Sequence, residues 1–173
     1  MQALSGVNVF YALTGQEEIQ YKTFIKFGLK DEEIREFFNG PAYLTWSRGQ
    51  SMQSVGSAAS PEGGDTGLPR SWMQAQHALQ KKILALTRPL GIIGVLPAFQ
   101  GNMPPQIKKL HPNANMTVVS HTAIPHAPWP ANDSTRGECA WVASPDPLFG
   151  DVADAWMQIM IADFGTDHWL VLH

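Results

Sequence analysis

The sequence predicts a parallel α/β fold, and three observations carry that expectation. Short apolar runs recur along the chain, each stopping at a glycine, a proline or a polar turn, as buried parallel strands do. Between them lie stretches with apolar residues at intervals of three and four, the spacing of helices that cover a sheet. Neither Gly-x-Gly-x-x-Gly nor a P-loop follows any of the runs, which weighs against a nucleotide-binding version of the fold. A doubly wound sheet and part of a barrel both satisfy the pattern, and in either one the chemistry belongs on the loops after the strands. A closed (β/α)8 barrel takes roughly 250 residues. At 173 residues, the chain is too short for a whole barrel, and one domain is expected over 1–173.

The elements follow in order. Residues 7–13 read as a first strand, aromatic and β-branched, buried on both faces, with 14–17 at its C-terminal end. Ile19, Phe24 and Phe27 recur at helical spacing over 18–27, Gly28 stops that helix, and Asp31 caps a second, acidic helix ending near Phe38. Gly40-Pro41 breaks it, and 43–46 lead into a Ser/Gly-rich stretch, 47–67, read as a mobile surface loop. Ser71 is placed to cap a long helix reaching about Thr87, with Trp72, Ala75, Leu79, Ile83 and Leu86 as its apolar stripe and Gln76, Gln80 and Lys81 on its polar face. Residues 92–96 form a second buried strand that stops at Pro97, followed by a loop over 98–102. A short helix through Ile107 and Leu110, a weaker strand at 116–120 and an irregular Pro/His-rich loop over 121–130 come next. A last helix over 152–164, closed by Gly165, and a strand opening at Trp169 complete the series.

Composition narrows the function classes. Twelve Lys and Arg against 15 Asp and Glu give a net charge of −3, which leaves no basic footprint for nucleic acid or an anionic membrane. No stretch reaches 18 apolar residues, and Met1 opens directly into a structured element, so neither a membrane span nor a signal peptide is expected on this chain. The single cysteine, Cys139, excludes an intrachain disulfide and a Cys-based zinc cluster and reads as a small buried residue. His111, His121 and His126 are scattered among prolines without the i, i+4 spacing of a helical metal pair, so no metal or other cofactor is expected. No serine lies in a nucleophile elbow. Two sequons, at Asn115 and Asn132, are usable only in a secretory compartment.

The strand-end rule singles out a few side chains. Gln16 and Glu17 directly follow the first strand, where a carboxylate either hydrogen-bonds a sugar hydroxyl or simply favours a helix N-terminus. Six Trp in so short a chain make an aromatic-lined, sugar-binding cleft plausible. Trp46, beside Thr45 and Arg48 outside regular structure, is placed either to stack on a ligand ring or to pack in the core. Gln100 and Asn102 flank Gly101 at the next strand end, as ligand contacts or as loop caps. These residues alone name no reaction.

Longer strings decide more. Met1-Gln2-Ala3-Leu4-Ser5-Gly6-Val7-Asn8, Thr14-Gly15-Gln16-Glu17 and Glu36-Phe37-Phe38-Asn39-Gly40-Pro41-Ala42-Tyr43-Leu44-Thr45-Trp46 together resemble the α-N-acetylglucosaminidase family of glycoside hydrolases. Leu68-Pro69-Arg70-Ser71-Trp72, Gly94-Val95-Leu96-Pro97-Ala98-Phe99-Gln100-Gly101, Asp146-Pro147-Leu148-Phe149 and Phe164-Gly165-Thr166-Asp167-His168 extend the resemblance in the same order. The 47–67 stretch is longer than the family's and lacks its Asn and Trp, and 121–138 match poorly.

The resemblance implies a partial (β/α)8 TIM barrel, incomplete at both ends, and removal of terminal α-linked N-acetylglucosamine from heparan-sulfate-type glycans. The implied mechanism is retaining hydrolysis by two glutamates about 5 to 5.5 Å apart. It places Trp46 on a tryptophan that lines the sugar pocket, with Gln16 and Glu17 as further substrate-binding candidates. Animal members are lysosomal glycoproteins, which implies a lysosomal or secreted location and gives Asn115 and Asn132 meaning as glycosylation sites. Met1 coincides with an internal methionine of the family pattern, and Trp169-Leu170-Val171-Leu172-His173 stands where the strand runs on toward the acid/base glutamate. The expectation is therefore a glycosidase fragment with neither catalytic glutamate, inactive alone, whose open strand edges favour association. The alternative from another class is a non-enzymatic carbohydrate-binding or regulatory fragment built on Trp46.

Overall fold

The computed structural model describes residues 3–38, 48, 67–120 and 138–171. Trp46, the 47–67 stretch apart from Arg48 and Gly67, and residues 121–137 with Asn132 lie outside the described residues.

A short 3-10 turn, Ala3–Ser5, leads into β1 (Val9–Tyr11), which runs parallel to β2 (Ile93–Pro97) with Val9 opposite Ile93. On its other side β2 runs parallel to β6 (Leu170–Val171), with Leu96 opposite Leu170, so the order is β1-β2-β6. Helices α1 (Gln16–Lys26), α2 (Asp31–Phe37) and α3 (Arg70–Thr87) connect β1 to β2, and α5 (Pro147–Phe164) returns the chain to β6. Parallel neighbours require such crossovers, because a short hairpin cannot reverse the chain twice. Ile19 and Phe24 of α1, Ile34 and Phe37 of α2, and Leu96 of β2 are fully buried in one core with Val152, Trp156 and Met160 of α5. Trp156 also donates its indole N–H to the Pro97 carbonyl at 2.9 Å, fastening α5 to the end of β2.

Within the parallel sheet, β2 is buried from Gly94 to Pro97. Val9 and Tyr11 of β1 are 39% and 66% exposed, which corrects the expectation of a strand covered on both faces. The physical reason is position: β1 is an edge strand, and helices cover one face of the sheet while the other stays open. That open face forms an apolar hollow of about 430 Å³ lined by Phe10, Tyr11, Val95, Trp169 and Leu170 among others.

The strand expected at 116–120 exists as β4 (Met116–Ser120), but in a separate sheet. β3 (Asn102–Met103), β5 (Glu138–Val142) and β4 form an antiparallel sheet in the order β3-β5-β4, inserted between β2 and α5. The short α4 (Ile107–Leu110) links β3 to β4. Cys139 is buried in β5, and burial pushes its thiol up to about 11, as expected of an inert packing residue.

Two helix starts differ from expectation. Lys30 rather than Asp31 holds the cap position of α2, its N–H donating to Glu33 Oε2 at 2.8 Å, while Asp31 accepts from the Tyr21 hydroxyl at 2.7 Å. Pro69 rather than Ser71 precedes α3, and Pro147 opens α5 five residues earlier than read, with the Asp146 side chain accepting the Leu148 N–H as a cap.

The larger correction concerns which way α3 faces. Met73, Gln80 and Leu84 point inward, with His77 largely covered, whereas Leu79 and Leu86 of the expected apolar stripe are 45% and 73% exposed. Polar side chains lie on this face, where Gln76 meets Arg48 and His77 meets Asp163 of α5, and those partners belong to the site.

Candidate functional site

The C-terminal end of β1 turns into α1 through Thr14-Gly15, and this turn sets the geometry. Gly15 has φ +77°, and a Cβ there would lie 2.7 Å from the His77 Cα and 2.9 Å from the Gln76 carbonyl oxygen. Only glycine both adopts that conformation and lets the start of α1 rest on the α3 backbone. Gln16, Glu17, Glu18 and Gln20 are consequently buried, an unusual run of polar residues for a helix interior.

Charged partners converge on that run from distant parts of the chain. Arg48 donates from Nε to Glu17 Oε1 at 2.8 Å and from Nη2 to Gln76 Oε1 at 3.2 Å, and its guanidinium lies 5.7 Å over the Trp72 ring. Arg70 forks onto Glu18 at 2.5 and 3.0 Å and stacks 3.4 Å from the centre of the Tyr21 ring. Burial pushes the Tyr21 hydroxyl above its usual range, helped by its bond to Asp31. Not every polar atom is used: Glu17 Oε2, both amide atoms of Gln20 and Gln80 Nε2 have no hydrogen-bond partner among the described residues.

Beneath this network, Asp163 of α5 ties three helices together. It accepts from Lys22 at 2.6 Å, lies 3.0 Å from His77 Nε2 and faces Lys81 at 3.6 Å. Burial raises the Asp163 carboxyl, but the Lys22 hydrogen bond and charge outweigh it and hold the group below the usual carboxylate range. Burial lowers His77, against the opposing pull of Asp163. Sequence reading missed the meeting of Arg70 with Glu18 and of His77 with Asp163; the i+4 return of polar residues from Gln76 to Gln80 was the available signal.

The remaining candidates sit apart. Asn102 is buried in β3, Gln100 is half-buried after β2, and His111 lies against Phe27 with ring centres 6.4 Å apart. Asn115 is exposed just before β4, its backbone N–H donating to Asp146 Oδ2 at 2.6 Å. Asp167 lies at the opposite, N-terminal end of the strands, accepting from Arg88 Nε at 2.8 Å and from the Gly94 N–H at 2.9 Å. His121 and His126 lie outside the described residues. Among the described residues no group of three His, Cys, Asp or Glu is placed to hold a metal ion, and no helix is long and apolar enough to cross a membrane.

A parallel α/β sheet that gathers buried polar side chains where β1 passes into its helix is the arrangement in which barrel-type domains place their sites. Comparison with known proteins identifies the family. Residues 1–172 match the family model for the α-N-acetylglucosaminidase TIM-barrel domain, and the chain belongs to that family. It is 33% identical to human α-N-acetylglucosaminidase over 167 residues, covering 96% of this chain and 20% of the human protein. It also superposes on a family 89 glycoside hydrolase from Clostridium perfringens in complex with 2-acetamido-1,2-dideoxynojirmycin, with a TM-score of 0.72 and 27% identity, covering 97% of this chain and 18% of that one. A doubly substituted form of the Clostridium perfringens protein, in complex with its substrate GlcNAc-alpha-1,4-galactose, matches with a TM-score of 0.70, 27% identity and the same coverage. The chain thus spans about a fifth of the length of these relatives.

Proposed function

We propose that residues 1–173 form one partial (β/α)8 barrel domain of an α-N-acetylglucosaminidase and supply one side of a pocket for terminal α-linked N-acetylglucosamine on a heparan-sulfate-type glycan. The carrying observation is the match, over nearly the whole chain, to a family 89 hydrolase solved with an acetamido iminosugar bound. The parallel order β1-β2-β6, with helical crossovers and an open inner face, fits three neighbouring strands of a barrel. In this reading Trp46 stacks on the sugar, Gln16 and Glu17 stand at the strand end beside it, and the two catalytic glutamates belong to sequence outside these 173 residues. A lysosomal or secreted location with glycans at Asn115 and Asn132 accompanies it, and the exposure of Asn115 supports the first of those sites.

The test uses the purified 173-residue chain. It binds N-acetylglucosamine saturably in calorimetry, loses that binding in Trp46→Ala, and shows no turnover of a chromogenic α-N-acetylglucosaminide, since in this reading the glutamate that protonates the leaving oxygen is not among these residues. Measurable turnover would overturn the assignment of the glutamates, and absence of binding would overturn the pocket.

A further inference from the structure

We infer that His77 operates an acid-sensitive latch: while neutral it holds the last turn of α5 against α1 and α3, and when it takes up a proton that turn opens. The latch is independent of the sugar pocket. Four charged or titratable side chains meet in it from three helices: Lys22 of α1, His77 and Lys81 of α3, and Asp163 of α5. His77 Nε2 lies 3.0 Å from Asp163 Oδ2, which also accepts from Lys22 Nζ at 2.6 Å, and Lys81 Nζ lies 3.6 Å from Oδ1. One carboxylate thus already faces two ammonium groups, and a protonated imidazole is a third cation upon it.

Two contacts cover the imidazole, and consecutive residues of a single helical turn supply both. Asp163 meets Nε2, and the Phe164 ring packs against the imidazole with ring centres 4.9 Å apart. The His77 side chain keeps only 12% of its surface exposed, and Phe164 is buried. A charged imidazole needs hydration that this setting withholds, and burial outweighs the pull of Asp163 in setting where His77 titrates. Moving the 163–164 turn aside removes both covers at once, so proton uptake and opening of that turn are linked.

Fasteners on either side confine the opening. Before the turn, Trp156 donates its indole N–H to the Pro97 carbonyl at 2.9 Å. After it, Asp167 accepts from Arg88 Nε at 2.8 Å and from the Gly94 N–H at 2.9 Å. Gly165, at φ +69°, ends the helix between the two and gives the chain a pivot. The moving piece is therefore the end of α5, while β1 and β2 stay paired. Its reporter is the Gly165 N–H, which donates to the Ile161 carbonyl at 2.8 Å. The reference is the Ala12 N–H, which donates to the Val95 carbonyl at 2.8 Å in the sheet.

The experiment is amide hydrogen exchange on the 173-residue chain, resolved by residue with NMR at pH 7 and pH 5 and corrected for the intrinsic rate at each pH. Protection of the Gly165 N–H falls about fivefold from pH 7 to pH 5, while that of the Ala12 N–H stays constant. In His77→Gln the Gly165 protection no longer depends on pH. Lys81→Glu changes a half-exposed side chain and exchanges a cation for an anion beside His77, which favours the charged imidazole. Its Gly165 protection holds or rises at pH 5, an outcome that a purely structural histidine does not produce.

Equal Gly165 protection at both pH values in the parent chain would overturn the latch, and so would a fall that persists in His77→Gln or Lys81→Glu. A matching fall at Ala12 would show that acid loosens the whole fold and would overturn the local opening. Should His77→Gln fail to fold at pH 7, Lys81→Glu decides the matter alone.

Discussion

At the N-terminal ends of the strands, the Asp167 carboxylate is fully used: one oxygen takes Arg88 and the other takes the N–H of Gly94 in β2. At the C-terminal end of β1, Glu17 is buried more deeply, yet only one of its oxygens has a hydrogen-bond partner among the described residues. The lower carboxylate joins the turn before β6 to the start of the neighbouring strand β2. The upper pair reaches across 31 residues to a segment outside regular strands and keeps bonding capacity in reserve. The contrast is between two carboxylates on one sheet, Asp167 satisfied through both oxygens where strands begin and Glu17 through one where β1 ends.

Gly15 offers the most severe way to break the contrast. Gly15→Val places a β-branched residue at positive φ with its Cβ inside the α3 backbone, and should cost about 4 kcal/mol. Circular dichroism on heating checks it. A variant that melts as the parent does would mean that α1 and α3 are free to separate.

Smaller effects should differ between the two pairs in a defined way. Arg48→Met strands a wholly buried carboxylate and should cost about 3 kcal/mol. Asp167→Asn keeps an acceptor for Gly94 and loses a partly exposed charge pair, so about 1 kcal/mol is expected. Urea midpoints at unchanged m-value measure both, and equal costs would erase the distinction between the ends.

The smallest effect concerns pH. His77 titrates below its unfolded value of 6.5 because the fold buries it, so its contribution to stability is present above that value and is lost as pH falls from there through its folded value. Asp163 faces it together with Lys22 and Lys81, and with its own folded value lowered it contributes stability above 3.8 that is lost only at lower pH. Between about pH 7 and pH 5 the melting temperature should therefore fall in the parent chain and fall less in His77→Gln. Parallel profiles would show that the histidine carries none of the slope.

Much of the fold was legible in the sequence because its signals are local. Gly28 and Gly165 close helices where expected, Pro97 ends β2, and Ile107 and Leu110 mark the short helix. The antiparallel insert was not, because β5 is a five-residue run whose partners, β3 and β4, are defined only by pairing. Gln16, Glu17 and Arg48 were legible as candidates outside or at the ends of regular structure, while the pairings Glu17–Arg48 and Glu18–Arg70 were not, since nothing in the spacing of an arginine names the carboxylate it meets.

By itself the sequence determined the alternation of strands and helices, the turn chemistry and the family, since each is written in neighbouring residues. Tertiary structure decided which face of α3 turns inward. A hydrophobic stripe predicts burial only when the opposite face has no better partner, and here Arg48 and the α5 residue Asp163 offer polar partners to Gln76 and His77. Whether those partners arrive is settled by where the rest of the chain packs, and no helical period can record that.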